Sequence, residues 1–277
     1  MSGDADDPCG VVLFDKPAGI TSHDVVAQMR RRLGRGIKVG HAGTLDPFAT
    51  GLLLILIGRA TRVQRFVMAL TKRYETTAHF GARSSTGDPE GEIVETGVVP
   101  DGELELPTGV IRQRPPAYSA VKIGGRRAYA LARAGMETLV LPEREVEVHR
   151  FDEIWRDGAR RGFEIECSSG TYVRSLIADL GDAYCEQLRR TAIGAFEVTD
   201  ADPERVLPLE QALSFLPEVR LDPEQARKAG HGASVAVEPA ATGAEVVRLI
   251  DEQGVIALAE PRDGGRELKP IVGLRGD

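Results

Sequence analysis

The sequence predicts an α+β protein with a small β-rich unit at its C-terminal end. From residue 10 to about 200, short β-branched and apolar runs alternate with segments whose apolar residues recur at helical spacing. After Pro217 the texture changes to short strand-like runs separated by turn residues. The chain has 277 residues, 42% of them hydrophobic, enough for one large and one small domain with real cores. The expected division is 1–219 and 220–277.

In chain order, residues 10–14 read as a strand that ends at Asp15-Lys16-Pro17. Thr21-Ser22 then offers a helix N-cap. Val25, Val26, Met29 and Leu33 supply the apolar face, and Arg30, Arg31 and Arg32 complement the dipole at its end. Residues 40–51 have no period and carry Gly, Thr and Pro, so they form a loop. Residues 52–57 make a buried strand. Residues 60–70 read as an amphipathic helix with Val63, Phe66, Val67 and Leu70 inward and Arg59, Arg62 and Arg65 on the other face.

Residues 74–80 are a strand, and Asp88-Pro89-Glu90-Gly91 is a turn before 92–95. The stretch 112–135 reads as an exposed loop leading into a short helix at 128–134. Residues 162–167 alternate as a strand, and 173–180 are helical. In the tail, 233–237, 245–250 and 255–259 are strand-like, and Asp263-Gly264-Gly265 marks a turn before 268–274. No repeat or low-complexity tract is present.

Composition excludes several function classes. No apolar run approaches the roughly 20 residues of a membrane span, and residues 1–10 hold three aspartates rather than the basic and apolar start of a secretory signal. A cytoplasmic protein is expected. Cys9, Cys167 and Cys185 lie far apart, and the five histidines form no HxxxH or Cys/His cluster, so no metal is expected. Cys167 reads as a small buried hydrophobe.

The net charge of −7 argues against a nucleic-acid partner, but its distribution does not. Between Val26 and Tyr74 ten basic residues face one acid, Asp46; that segment is +9 and the remainder −16. A local field is what a phosphate meets, because screening acts within about 8 Å at physiological salt. The cluster is read as a functional surface. Each arginine alone is equally a solvated surface charge.

Within that segment, the loop from His41 to Gly51 holds the lone carboxylate. Asp46 precedes a proline, which keeps it out of the helical region, and Gly43 and Gly51 allow unusual backbone geometry on either side. An aspartate in a loop is more often a turn or cap residue than a catalyst.

The run Gly40-His41-Ala42-Gly43-Thr44-Leu45-Asp46-Pro47, followed by Ala49, Gly51-Leu52-Leu53 and Gly58-Arg59-Ala60-Thr61, resembles the signature of the TruB family of pseudouridine synthases. Further stretches agree in order: residues 13–19 with Ser22, Lys72-Arg73-Tyr74, Pro116-Ala117-Tyr118-Ser119-Ala120-Val121-Lys122 with residues 125–129, and residues 167–176. The resemblance covers roughly residues 10–200. The tail is similar in size and texture to the small PUA-like RNA-binding domain that many members carry.

The resemblance implies a mixed twisted β-sheet catalytic domain with flanking helices, an RNA-gripping insertion at about 112–142, and a basic cleft floored by the Asp46 loop. It implies isomerisation of a flipped-out uridine at position 55 of the tRNA T-loop, with no cofactor. Asp46 would be the essential carboxylate, acting on the sugar or base as a nucleophile or taking a ribose proton. Arg174 would pair with it. Tyr74 would stack on the uracil, and Tyr172 would sit near the base for C5 deprotonation or positioning. His41 would assist flipping, and Leu188 would form an apolar wall. Lys16, Arg59 and Lys122 are candidates for phosphate contacts. One departure is that residues 180–187 are shorter by several positions than the family pattern before the Leu188-Arg189-Arg190 run.

The expected partner is tRNA, bound through its T-arm by a monomer. Two other readings stand beside it: a guide-RNA-dependent enzyme acting on ribosomal RNA, and a tRNA-binding or folding module. A third makes the basic segment a surface for acidic proteins.

Overall fold

The computed structural model describes residues 8–116, 141–238 and 243–275, with 122–123 and 126–127 as backbone alone. Most of the expected insertion, including Tyr118 and the helix at 128–134, lies outside the described residues, as does the side chain of Lys122.

The apolar run in the middle of the first basic segment organises the fold. It becomes β3 (Thr50–Ile57), buried on both faces, which is why it reads as a continuous apolar run rather than an alternation. Leu53, Ile55 and Ile57 enter one core, and Leu52, Leu54 and Leu56 enter another. Antiparallel neighbours on its edges are β1 (Gly10–Lys16) and β2 (Val39–Ala42). The strands β4 (Lys72–Phe80), β7 (Gly109–Gln113), β10 (Arg144–Asp157), β11 (Arg160–Cys167), β12 (Ala183–Ile193) and β13 (Phe196–Glu197) complete a nine-stranded mixed sheet. Its order is β1-β3-β12-β4-β11-β10-β7, with β2 on β3 and β13 on β12. Among the described residues of this sheet, β3 and β12 are the one parallel pair.

That parallel junction depends on Gly51. Its φ is +102°, and a Cβ there would lie 2.2 Å from the Arg190 carbonyl oxygen. No other residue fits without moving the strands apart.

The helix α1 (Ser22–Leu33) covers the first core with Val25, Val26 and Met29. Thr21 and Asp24 form a reciprocal capping box at its start, and Gly34 ends it at φ +88°. The second core faces the helical segment after β3 and also takes Leu258 and Leu274 from the C-terminal region. A second, five-stranded sheet is built from β14 (Glu218–Arg220), β15 (Val235–Ala236), β16 (Val247–Asp251), β17 (Gly254–Arg262) and β18 (Glu267–Gly273) in the order β14-β16-β17-β18-β15, with the helix Pro223–Gly230 packed on it. Because the two sheets share this second core, the tail is joined to the main sheet by packing as well as by the chain.

Several expectations need correction. Residues 60–70 are not one α-helix: a 3-10 segment, Gly58–Val63, precedes a short helix, α2 (Gln64–Ala69). The strand exits through Gly58 at φ +61°, no side chain caps the turn at Ile57, and Thr61 Oγ bonds back to the Gly58 carbonyl at 2.8 Å, which tightens it. The 14-residue strand β10 and the 11-residue central strand β12 were not anticipated. In β12 the buried Arg190 interrupts the apolar signal. The tail also contains the helix Pro223–Gly230, capped by Asp222 with Gln225, where only strands were expected.

Candidate active site

Asp46 sits at the tip of the loop between β2 and β3, and its backbone is held from several directions. Ser22 Oγ, buried at the start of α1, donates to the Leu45 carbonyl at 3.2 Å and accepts the Leu45 N–H at 2.9 Å. The Gly19 N–H reaches the Pro47 carbonyl at 2.8 Å, and the Ala49 N–H reaches that of Asp46 at 3.1 Å. Leu45 and Ala49 plug into the first core on either side. From β12, Arg190 donates to the carbonyls of Leu52 at 2.7 Å and Gly43 at 3.1 Å.

Lys16 completes the anchoring, and here the sequence expectation fails. Its side chain is 0% exposed, and its ammonium donates to the carbonyls of Pro17, Ile20 and Pro47 at 2.9, 2.8 and 3.2 Å. All three donors are used, and no surface remains for a phosphate. Lys16 is therefore a pin for the Asp46 loop and not an RNA contact. Burial lowers its pKa to about 8, with Asp46 opposing the shift.

The carboxylate itself points at a buried arginine. Arg174 lies on the helix α3 (Val173–Ala178), only 3% exposed, with Nε 2.9 Å from Asp46 Oδ2. Its Nη1 donates to Asp88 Oδ2 at 2.8 Å and to the Thr86 carbonyl at 2.7 Å. One guanidinium thus bridges two carboxylates. Asp88 was read from the sequence as a turn residue; it is buried, and its Oδ1 also accepts from Thr86 Oγ1 and the Glu90 N–H. Burial raises the Asp46 pKa above its ordinary 3.8, and Asp88 adds to the rise; Arg174 and Lys16 pull against it. A third of the Asp46 side chain stays open to the cleft.

The cleft has a volume of about 350 Å³. Asp46, Tyr74, Tyr172, Arg174 and Leu188 all line it, as five of the nine expected site residues. Tyr74, on β4, is paired in register with Arg190 on β12 and with Ile165 on β11. Burial raises its pKa, and the nearby Arg190 charge opposes that shift. Leu188 lies on β12 opposite Thr76, on the strand that carries Arg190 opposite Tyr74. The shortened segment before it is absorbed into β12, with a register shift between Cys185 and Gln187, and leaves Leu188 in the cleft wall.

The other expected residues lie elsewhere. His41 is on β2, its ring edge-on to that of His23 at 5.4 Å, and it is not part of the cleft wall. Arg59 lines a separate groove of about 220 Å³ with Lys38 and Arg62. A larger cavity of about 530 Å³ lies in the C-terminal sheet between Arg220, Arg227, His231 and Arg275 and includes none of the expected residues.

Sequence reasoning missed Asp88, Arg190, Lys72, Gln113 and Arg144. Lys72 lines the cleft with its ammonium on the carbonyls of Met68 and Leu70, and burial lowers its pKa to about 8. Cys167, expected as an inert core residue, is buried on β11, and its thiol is pushed up to about 11 by burial. The described residues hold no group of three or more His, Cys, Asp or Glu side chains that could bind a metal.

The arrangement is a carboxyl group fixed by a guanidinium, faced by two aromatic rings and an apolar wall. It can hold a flat base and place a carboxylate beside a centre that develops positive charge.

Comparison with known proteins shows the family. The signature described as TruB family pseudouridylate synthase (N terminal domain) matches residues 30–173. The tRNA pseudouridine synthase B of Thermobifida fusca is 41% identical, over 96% of this chain and 99% of its own length. That of Mycobacterium tuberculosis (strain ATCC 25618 / H37Rv) is 40% identical, with 96% of each chain covered. Among solved structures, a chain of a Cbf5-Nop10-Gar1 complex superposes with a TM-score of 0.70 at 25% identity, covering 100% of this chain and 90% of that one. A chain of an H/ACA RNP bound to a substrate RNA containing 2′-deoxyuridine gives 0.71 at 24% identity, covering 96% and 85%. At that identity the second superposition speaks to the fold alone.

Proposed function

This chain belongs to the TruB family of pseudouridylate synthases, and we propose that it isomerises the uridine at position 55 of the tRNA T-loop. The reaction breaks the N1–C1′ bond, joins C5 of the uracil to C1′ of the same ribose, and moves the C5 proton away while N1 gains one. Nothing is added to the nucleotide or lost from it.

The observation that carries this reading is the Asp46–Arg174 pair at 2.9 Å, inside the cleft that also presents Tyr74, Tyr172 and Leu188. Arg174 keeps Asp46 ionised against its burial and aims one oxygen. From that position the carboxylate can attack C1′ or the base, or take a ribose proton; each route begins with the same atom. Tyr74 and Leu188 sandwich the extruded base, and Tyr172 orients it and stands near C5 for the final proton. His41, beside the first helix, assists flipping from outside the cleft.

RNA would reach the cleft across the basic segment, with Arg59 and, from the insertion, Lys122 at phosphates. The C-terminal sheet is read as a PUA-like RNA-binding domain; Arg220, Arg227 and Arg275 around its cavity support that assignment. The chain would act as a cytoplasmic monomer. No helix among the described residues is long and apolar enough to cross a membrane.

The similarity of about 40% across nearly the whole chain to proteins named tRNA pseudouridine synthase B favours this over a guide-RNA-dependent activity. The test is an unmodified T-arm hairpin incubated with the purified protein and no cofactor, then mapped for pseudouridine by chemical labelling. Conversion of the single T-loop uridine, absent with Asp46→Asn, is expected. Binding without conversion would move the assignment to a guide-dependent enzyme or a binding module. Reversing Arg220 and Arg227 to Glu should weaken full-length tRNA more than the hairpin; equal effects would remove the RNA-binding role of the tail.

A further inference from the structure

Tyr172 is held by two residues that the reaction scheme leaves unused. Gln113 ends β7 and Arg144 begins β10, and the two are direct partners across the antiparallel pair. Gln113 is 1% exposed. Its side-chain amide grips the Tyr172 backbone from both sides: Nε2 donates to the Tyr172 carbonyl at 2.9 Å, and Oε1 accepts the Tyr172 N–H at 2.7 Å. That is the hydrogen-bond pattern of a neighbouring strand, supplied by one side chain. It matters because Tyr172 precedes α3 and no side chain caps that helix. Nearby, Ser175 Oγ donates to the Arg114 carbonyl at 3.1 Å, a second tie between the end of β7 and α3.

Arg144 acts on the ring. Its guanidinium carbon lies 4.6 Å from the Tyr172 ring centroid, in stacking range. Among the described residues it has no carboxylate at ion-pair distance, and its Nε and Nη2 are buried without hydrogen-bond partners. Burying guanidinium donors unpaired is costly, so the aromatic face is the contact that places this head group. Both residues share the cross-strand site, so the backbone and the ring of Tyr172 are fixed from a single rigid element.

We propose that Gln113 and Arg144 are positioning residues that clamp Tyr172 in its working orientation in the cleft. This rests on the functional reading above, in which Tyr172 faces the base. The clamp affects the turnover of bound RNA more than its capture, since neither contact is to substrate. Without it the Tyr172 ring samples several rotamers, and the reactive geometry is populated only part of the time.

The test uses the full chain with 3-fluorotyrosine incorporated at its five tyrosines and the Tyr172 ¹⁹F resonance assigned by Tyr172→Phe. In Arg144→Gln and in Gln113→Leu this resonance should shift or broaden while the other four stay in place. The single-turnover rate on a T-arm hairpin should fall about tenfold, the scale of a lost cation–aromatic contact, with hairpin affinity within about threefold. Arg144→Lys, which keeps the charge and loses the planar stack, should not restore the rate. Three results would overturn the clamp: an unchanged Tyr172 resonance in both variants, full rescue by Arg144→Lys, or a loss seen only in affinity. If Gln113→Leu does not fold, Arg144→Gln decides alone. Failure of the wild-type chain to convert the hairpin would defeat the functional reading instead, and the ¹⁹F measurement would still report on the clamp.

Discussion

Replacing Arg174 by methionine removes the charge that two carboxylates share, and the structure sets the size of the effect. Three contacts go: 2.9 Å to Asp46, 2.8 Å to Asp88 and 2.7 Å to the Thr86 carbonyl. Asp88, 5% exposed, is left buried without a counter-charge. Stripping one partner from such a pair costs about 3–5 kcal/mol. In a chain of this length each kcal/mol moves Tm by about 2–4 °C, so a fall on the order of 10 °C is expected. Asp46 responds separately. Burial already raises its pKa, and Arg174 is the largest opposing influence. Loss of a contacting opposite charge raises a carboxyl by about 1–3 units. The acid limb of the rate should move up by that amount, so that raising the pH recovers part of the lost activity. The assay is single-turnover pseudouridine formation on the T-arm hairpin from about pH 5 to 9, with urea unfolding alongside. An acid limb that stays in place, with stability within about 1 kcal/mol of wild type, would refute the view that Arg174 keeps Asp46 charged.

Further outcomes follow from the same geometry and charge distribution. Asp46→Asn should abolish product and leave hairpin binding within about tenfold, measured by filter binding, since one carboxylate changes; equal loss of both would make Asp46 structural. Because the folded-state pKa of Asp46 is raised, the folded chain holds its proton to higher pH than the unfolded one, and this residue's contribution to stability falls as pH climbs past 3.8. Asp46→Asn should therefore be no less stable than wild type at neutral pH in thermal melts, with any gain vanishing below that value. Lys16→Met orphans three carbonyls, so it should destabilise by about 2–4 kcal/mol and slow turnover, while the salt dependence of RNA binding keeps its slope; a slope reduced by about one would restore Lys16 as a phosphate contact. Gly51→Ala meets the Arg190 backbone at 2.2 Å and should cost at least about 3 kcal/mol or prevent soluble expression. Binding of the wild-type chain should weaken steeply with added salt, and a flat response would remove the basic-cleft argument.

The comparison of sequence with structure separates what is local from what is not. Local signals held: the helix N-cap at Thr21, the all-apolar β3 and the turn before β18 follow from neighbours in sequence, because caps, periodicity and turns act over a few residues. The long strands β10 and β12 escaped notice because their charged residues mask the period. In β12 the reason is visible: Arg190 is a core residue there, its charge satisfied by carbonyls from the Asp46 loop and β3.

The candidate site divides the same way. The loop around Asp46 stands out in the sequence as a proline-bounded carboxylate in a basic segment, and the resemblance to one family attached Arg174, Tyr74 and Tyr172 to it. What the sequence alone determined was the residue types and the order of the elements that carry them. Only the tertiary structure decided that the turn after β5 (Ala82–Ser84) folds Asp88 onto Arg174, that Lys16 is consumed as a pin, that His41 stands outside the cleft, and that Gln113 and Arg144 meet at Tyr172. Each of these depends on elements distant in the chain or on a burial set by several elements at once. Whether a charge ends in water, against a carbonyl or on an aromatic ring is settled by packing that no local pattern encodes.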